Sequence, residues 1–207
     1  MFNLPSLHTV ALMLPAIVLG LTLHEFAHGW MADRLGDRTA RHMGRLTVNP
    51  AAHIDPIGLL LLFFMGFGWA KPVPVNPYNL KLDPRQGMLL VALAGPATNM
   101  LLAVISAIAS GALAGLNLPY FGGIMLYMIH INVVLAVFNL IPIPPLDGSK
   151  ILAGILPGRQ GWLDQFEQYG TIILIVLVFT GLIGVVFNVV IEPIDRVLFA
   201  LGGLSTR

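Results

Sequence analysis

The sequence predicts an all-α polytopic membrane protein with about four transmembrane helices. The first reason is composition: of 207 residues, 57% are hydrophobic and only 10% are charged, whereas soluble domains carry about 25% charged residues. The second is a set of four apolar runs that each reach the ~20 residues needed to cross a bilayer. The third is the distribution of basic residues, which cluster between these runs in a way that assigns them to one side of a membrane.

The predicted helices follow the apolar runs, which cover residues 9–32, 86–115, 120–141 and 170–191. The first run has neither a basic segment before it nor a small-residue cleavage site near it, so we interpret it as a retained helix and not a signal peptide. The sequence contains no internal repeat, low-complexity tract or separate soluble domain. It therefore predicts one membrane-embedded domain over residues 1–207.

A fifth apolar run, residues 57–69, is too short to span a bilayer comfortably and includes Gly58, Gly66 and Gly68. A run of this length is typical of a re-entrant or interfacial segment. The next segment, WAKPVPVNPYNL at residues 69–80, is rich in proline and β-forming residues. We therefore expect it to be extended edge structure and not a helix.

The positions of the basic residues indicate whether residues 57–69 re-enter the membrane or cross it. Nine of them lie between the long runs: Arg34, Arg38, Arg41, Arg45, Lys71, Lys81, Arg85, Lys150 and Arg159. If residues 57–69 re-enter, all nine lie on one side, which the positive-inside rule makes cytoplasmic. If residues 57–69 cross, Lys71, Lys81 and Arg85 lie opposite the arginine cluster. We favour the re-entrant interpretation.

The segment HEFAH places ionisable side chains inside the first predicted helix. His24 and His28 are four residues apart and so share one helical face, where two imidazoles can bind one divalent ion. Glu25 lies beside them as a candidate base that takes a proton from water. The alternative is a polar cluster that hydrogen-bonds between helices. Ionisable groups at this depth are costly and usually functional, which favours the metal site.

A hydrolytic metal site needs a third protein ligand, and because the chain has no cysteine the ligand must be His, Asp or Glu. Asp147, in FNLIPIPPLDGSK, follows a predicted span and precedes the apolar segment ILAGILP. An aspartate in this position is also a good helix N-cap. The prolines at 142, 144 and 145 favour a functional role, because irregular backbone at a membrane boundary is tolerated where it lines a cavity.

Four motifs together resemble the site-2 protease family of intramembrane zinc metalloproteases: HEFAH, NPAAHIDPIG, GPATN and FNLIPIPPLDG. The resemblance covers about residues 20–155. It implies one Zn²⁺ per chain bound by His24, His28 and Asp147, with Glu25 as general base and Asn139 as a polar residue near the metal. It also implies a core of three helices, with a re-entrant loop and a small β-sheet between the first and second.

The resemblance further implies a function: zinc-dependent endopeptidase cleavage of transmembrane segments in membrane protein substrates, that is, regulated intramembrane proteolysis. The expected location is the cell membrane, with the active site near the cytoplasmic side. This chain is short and has no room for the PDZ-like or CBS domains of many members. Its expected partners are a transmembrane-helix substrate and the lipid bilayer, while a net charge of +1 predicts no nucleic-acid binding.

The main alternative function is a divalent metal transporter or channel, since His and Asp inside helices also suit ion pathways. A transport site would use Glu25 as a ligand, whereas hydrolysis needs it free as a base. Two further histidines have ordinary interpretations. His53, next to Asp55 and Pro56, is assigned a role in a turn in preference to the site, and His130 is assigned to bonding between helices in preference to metal binding.

Overall fold

The computed structural model describes residues 6–65, 68–116, 118–157 and 161–204, and these are mostly helical. The α-helices are α1 (Leu7–Arg34), α2 (Thr39–His42), α3 (Pro56–Met65), α4 (Pro84–Leu113), α5 (Phe121–Asn139), α6 (Asp147–Ile155), α7 (Gly161–Phe179), α8 (Leu182–Val186) and α9 (Glu192–Leu201). Single 3₁₀ turns lie at Pro50–Ala52, Pro77–Asn79 and Ala114–Leu116, and a π-helical stretch at Phe187–Ile191 joins α8 to α9.

Three of these helices, α1, α4 and α5, are long and apolar enough to cross a membrane, which confirms the first three predicted spans. The fourth predicted run is not one straight helix. It is divided between Phe166–Phe179 and Leu182–Leu201, which are bent by 72° relative to each other. The bend lies at Gly181, whose φ of 75° is incompatible with a continuous right-handed helix. Within the described residues the count is therefore three spans, or four if the bent pair forms one, as about four were predicted.

The spanning helices pack as a group, with α1, α4 and α5 in mutual contact and α6 against α4. The largest apolar core joins Ala103 and Ala107 of α4 with Ile129 and Val133 of α5 and Phe199 of α9. Alanines on α4 let the neighbouring backbones approach closely, as small residues do between membrane helices. The contacts of α4 with α1 and with α6 bring these three helices together where the predicted metal ligands lie.

The residues that flank α3 on its two sides are in direct contact. The backbone N–H of Lys71 donates to the carbonyl of His53 at 2.7 Å, and Ile54 forms an isolated antiparallel bridge with Ala70. Residues 66 and 67 of the predicted re-entrant run lie outside the described residues. No β-strand occurs within the described ranges, so the small β-sheet is not confirmed and stays a prediction.

Both clusters of basic residues lie at one end of the bundle. The backbone N–H of Lys81 donates to the carbonyl of Leu35 at 2.8 Å. The guanidinium of Arg45 donates to the carbonyls of Lys71 at 2.9 Å and Pro72 at 3.1 Å. The loop after α1 and the segment before α4 are thus in direct contact, which is the arrangement that re-entry of residues 57–69 predicts.

Candidate metal centre

The three predicted metal ligands come together between α1 and α6. His24 and His28 project from one face of α1, and their Nε2 atoms lie 3.0 Å apart. The irregular stretch after α5 brings Asp147, the first residue of α6, to the same place. Its Oδ2 is 3.1 Å from Nε2 of His24 and 3.2 Å from Nε2 of His28. All three side chains are buried, so the group is shielded from the surroundings.

This triangle has the dimensions of a zinc site. Ligand atoms about 2.0–2.1 Å from a tetrahedral zinc ion lie roughly 3.3 Å from one another, close to the 3.0–3.2 Å seen here. Within the described residues, these three form the one group of His, Asp and Glu that could hold a metal ion. Three protein ligands are the number typical of catalytic zinc sites, whereas structural zinc sites use four.

The structure disfavours the alternative role of Asp147 as a helix cap. The N-cap of α6 is Leu146, and no side chain caps this helix end. The carboxylate of Asp147 lies instead against the two imidazoles. A negative charge in the first turn still interacts favourably with the helix dipole, so the position suits a carboxylate whether or not a metal is bound.

A chain of hydrogen bonds orients His24. Its Nδ1–H donates to Oδ1 of Asn99 on α4 at 2.5 Å. The amide of Asn99 donates to the Gly20 carbonyl at 3.1 Å and to Oδ1 of Asn132 at 2.9 Å. Asn132 in turn donates to the Met128 carbonyl at 2.8 Å. With Nδ1 protonated, Nε2 of His24 carries the lone pair that a metal needs. Asn99 therefore joins α1, α4 and α5 through its hydrogen bonds.

His28 is oriented by the backbone of α4 and by a glycine. Its Nδ1–H donates to the Val91 carbonyl at 2.7 Å, so Nε2 again carries the free lone pair. A Cβ added at Gly95 would lie 2.5 Å from Nε2 of His28 and 2.6 Å from Cε1 of His24. Gly95 of the GPATN motif therefore gives the two imidazoles their space.

The predicted base lies on the wall of a cavity of about 340 Å³ that all five predicted site residues line. Glu25 is half-buried, and its Oε2 accepts a hydrogen bond from the backbone N–H of Val73 at 2.8 Å. The segment after α3 therefore forms one wall of the cavity and fixes the Glu25 carboxylate. This contact uses one carboxylate oxygen and leaves Oε1 as a proton acceptor.

Asn139, the last residue of α5, also lines this cavity. Its Nδ2 donates to the Leu135 carbonyl one turn earlier, at 2.9 Å. This bond is the helix-end contact of an ordinary structural asparagine. A carboxamide has a second N–H, so the contact leaves one donor for a ligand in the cavity.

Lys150 is a cavity residue that the sequence reasoning did not select. Its Nζ is 4.0 Å from Oδ1 of Asp147, and its side chain lines the same cavity. The sequence feature that could have indicated Lys150 is its position three residues after Asp147, because residues i and i+3 share one helical face. The structure thus adds a positive charge to a site otherwise composed of acidic and neutral groups.

The two other histidines singled out lie outside the metal group. His53 is fully buried, and its Nε2–H donates to the Thr47 carbonyl at 2.7 Å, which agrees with a role in the turn. His130 on α5 contacts Oδ2 of Asp195 on α9 through Nδ1 at 2.6 Å. The expected bonding between helices is therefore present at His130.

The sequence matches the model of the family described as Peptidase family M50 over residues 12–121 and 120–183. The chain is 41% identical to "Putative zinc metalloprotease YwhC" of Bacillus subtilis over 80% of this chain and 79% of that protein. It is 32% identical to "Putative zinc metalloprotease Rip2" of Mycobacterium tuberculosis, over 92% of this chain and 73% of the relative. It is 31% identical to "Putative zinc metalloprotease MJ0611" of Methanocaldococcus jannaschii, over 73% and 75% of the two chains.

No solved structure matches this chain. The family match covers most of the chain, and the relatives named zinc metalloproteases cover it at more than 30% identity. Their names agree with a buried group of two histidines and an aspartate that fits zinc. The chain therefore belongs to peptidase family M50, the site-2 protease family, and is a membrane-embedded zinc metalloprotease.

Proposed function

We propose that the protein is an intramembrane endopeptidase that cuts transmembrane segments of membrane protein substrates, with residues 1–207 as one catalytic domain. The observation that carries the proposal is the position of the His24, His28 and Asp147 group. It is buried among helices that are apolar enough to span a membrane, and Glu25 lies in the same cavity. A protease centre surrounded by lipid-facing helices meets substrates that are themselves in the membrane.

His24, His28 and Asp147 are the proposed zinc ligands. A zinc ion held by these residues would supply Lewis acidity to a peptide carbonyl and to water near neutral pH. Glu25 is the proposed general base: its carboxylate accepts the proton of water and passes it to the leaving amine. The bond from Val73 to Oε2 supports this role, because it holds the carboxylate while leaving Oε1 for the proton.

Asn139 is proposed to donate its second amide N–H to the oxyanion that forms on the substrate carbonyl. Its place on the wall of the metal cavity supports this role. Preorganised donors of this kind act in a water-poor site, where a hydrogen bond to developing charge is strong. The bond from Asn139 to Leu135 keeps the amide in one orientation.

We further propose that the site lies near the cytoplasmic side of the cell membrane and that residues 57–69 form a re-entrant loop. The contacts from Lys81 to Leu35 and from Arg45 to Lys71 support this topology, because they join the basic segments on both sides of the loop. The positive-inside rule assigns such a one-sided cluster to the cytoplasm.

A substrate helix must unwind before its amides can be attacked, since intact helical hydrogen bonds protect them. Residues 71–76 are proposed as the extended edge on which the unwound substrate pairs as a strand, which would complete the small β-sheet predicted there. The proximity of this segment to Glu25, through Val73, supports the assignment. The family assignment favours proteolysis, and no comparison supports the transport alternative.

The test is cleavage by the purified full chain, reconstituted in liposomes with a panel of single-span peptides. We expect zinc-dependent cleavage by the wild type, lost on chelation and restored by zinc. Glu25→Gln is the matched control, because it removes the base but keeps the proposed ligands. That variant should bind zinc normally and cut no peptide. Absence of cleavage by zinc-loaded wild type, or loss of zinc in Glu25→Gln, would overturn the proposal.

A further inference from the structure

His130 and Asp195 form an ionisable pair that the proposed chemistry does not use. His130 lies on α5, nine residues before Asn139, and its Nδ1 is 2.6 Å from Oδ2 of Asp195 on α9. Asp195 is buried, and its other oxygen, Oδ1, has no hydrogen-bond partner among the described residues. Ionisable side chains within membrane helices are costly and usually serve a function. The pair therefore needs a reason beyond joining α5 to α9.

The exposed part of His130 provides such a reason. Its side chain is 44% exposed although Asp195 is buried, and it lines a cavity of about 270 Å³. The described residues around this cavity are otherwise apolar and include Ile17, Leu21 and Leu135. A carboxylate only accepts hydrogen bonds, so Nδ1 of His130 carries the proton. The other ring nitrogen, Nε2, does not take part in the contact with Asp195, and it belongs to a side chain that lines this apolar space.

This apolar cavity, called the groove below, lies next to the metal cavity, because residues from the same three elements line both spaces. On α1, Leu21 lines the groove and Glu25, one turn later, lines the metal cavity. On α5, Leu135 and Asn139 are related in the same way. After α3, Trp69 lines the groove and Val73 lines the metal cavity. A segment that lies in the groove therefore continues into the site of cleavage.

We propose that His130 is a specificity-determining residue, whose Nε2 hydrogen-bonds a hydroxyl or carboxamide side chain of the transmembrane substrate segment in the groove. This inference rests on the proposed function and deepens it. Hydroxyl and carboxamide groups can donate or accept, so they satisfy Nε2 with or without a proton. They also carry no charge, which makes them less costly in a membrane than Lys or Glu.

The geometry sets where the polar residue of the substrate lies. His130 and Asn139 are nine positions apart on α5, which corresponds to about 13 Å along the helix axis. A substrate that stays helical in the groove and unwinds only at the metal cavity would have its polar residue about nine residues from the cut. Asp195 is the positioning residue that holds the imidazole in the required tautomer.

The test scans one polar residue along a designed single-span peptide. The probe has a Leu/Ala transmembrane segment with a central Gly-Gly pair that permits unwinding, and Asn replaces one residue at a time on either side. Cleavage is measured with the wild-type chain, and binding is measured as photo-crosslinking to Glu25→Gln. We expect Asn about nine residues from the cut to increase both signals three- to tenfold over the all-apolar probe, as membrane hydrogen bonds of ordinary strength would.

Variants then assign the preference to His130. His130→Phe keeps the ring but removes the hydrogen-bonding atoms, so the positional preference should disappear. His130→Gln keeps a polar group and should retain part of it. His8→Phe is the matched control, because His8 is an exposed histidine on α1 that does not line the groove. It should keep the full preference. Bound zinc and melting temperature are measured on each preparation.

The outcomes separate this inference from the proposed function. Equal signals at all Asn positions, or the same preference in His130→Phe, overturn the role of His130 even if cleavage is efficient. If crosslinking depends on the position of Asn but the wild type cuts no probe, the result supports the proposed role of His130 and overturns the proposed endopeptidase function. If no probe is either captured or cut, both proposals fail. Because the scan uses the unmodified chain first, a variant that does not fold leaves the test intact.

Discussion

Asn99 of α4 accepts a hydrogen bond from Nδ1 of His24 at 2.5 Å, while its amide donates to Asn132 of α5 at 2.9 Å. The orientation of one proposed metal ligand thus depends on residues from two other helices. Asn99 and Asn132 are both fully buried. Because a buried polar group without partners is costly, each member of this relay stabilises the position of the next, and the imidazole is held by the packing of the whole bundle.

We expect Asn99→Ala to weaken zinc binding by about 10- to 100-fold, the usual cost of losing a partner that orients a metal ligand. The measurement is a zinc titration against a competing chelator. Ser106→Ala, at another buried polar position on α4, is the matched control and should bind zinc as the wild type does. Unchanged zinc affinity in Asn99→Ala would show that α1 alone positions His24.

Asp147→Asn should reduce zinc affinity strongly and abolish proteolysis. Asparagine keeps the size of the side chain but removes the negative charge that a zinc ligand supplies. Metal content and turnover are measured on one preparation. Asp33→Asn is a suitable control, because Asp33 pairs with Arg41 outside the site, with 2.6 Å between the nearest charged atoms. Full zinc occupancy together with wild-type turnover in Asp147→Asn would reduce Asp147 to a structural residue of α6.

Asn139→Ala should lower turnover by about 10²- to 10³-fold, the typical effect of losing one oxyanion donor, with little change in zinc affinity. The structure also supports an ordinary role, because Nδ2 of Asn139 donates to the Leu135 carbonyl. That role predicts a lower melting temperature, with activity that follows the folded fraction. Turnover, bound zinc and melting temperature together distinguish the two, and a normal rate per folded, zinc-loaded molecule would end the oxyanion assignment.

Single cysteines at Lys71 and Arg41 should react with a membrane-impermeant thiol reagent from the same side. Both residues are exposed, and the contact of Arg45 with the Lys71 carbonyl places their segments at one end of the bundle. The chain has no native cysteine, so there is no background. A cysteine at Leu118, between α4 and α5, should label from the other side. Labelling of Lys71 and Arg41 from opposite sides would mean that residues 57–69 cross the bilayer.

Asp37→Asn should destabilise the protein at neutral pH by about 1.5–3 kcal/mol, the range for hydrogen bonds to a charged group. Asp37 is fully buried. Burial by itself would raise the pKa of Asp37, but hydrogen bonds from Thr39, Asn76 and Asn79 outweigh it and hold the pKa below its usual range. A lowered pKa stabilises the folded state above the unfolded-state pKa of about 3.9.

That stabilisation is present at neutral pH and disappears as the pH falls through the lowered pKa of Asp37. The difference in melting temperature between wild type and Asp37→Asn should therefore narrow below about pH 4. Both proteins are compared without zinc, because acid also releases metal from histidine. A difference that stays constant from pH 7 to pH 3 would contradict the assignment of the effect to the Asp37 carboxylate.

The sequence indicated local features well. Spacing of four residues places His24 and His28 on one helical face wherever a helix forms. The apolar runs around residues 9–32, 86–115 and 120–141 became helices because length and apolarity are properties of the segment itself. The fourth run shows the limit of this reasoning. Its hydropathy is continuous, but the backbone turns by 72° near Gly181, and an apolar composition is equally compatible with straight and bent helices.

By itself, the sequence determined the membrane class of the protein, three spanning helices, the His24–His28 pair and, through its motifs, the family. Tertiary structure decided which distant groups meet that pair. Asp147 lies 123 residues after His24, and Asn99 lies 75 residues after it. Periodicity describes one helix at a time, so it cannot assign contacts between helices. The packing of α1, α4 and α6 brings Asp147 and Asn99 into contact with His24. Tertiary structure also places His130 at a groove that its sequence position alone did not reveal.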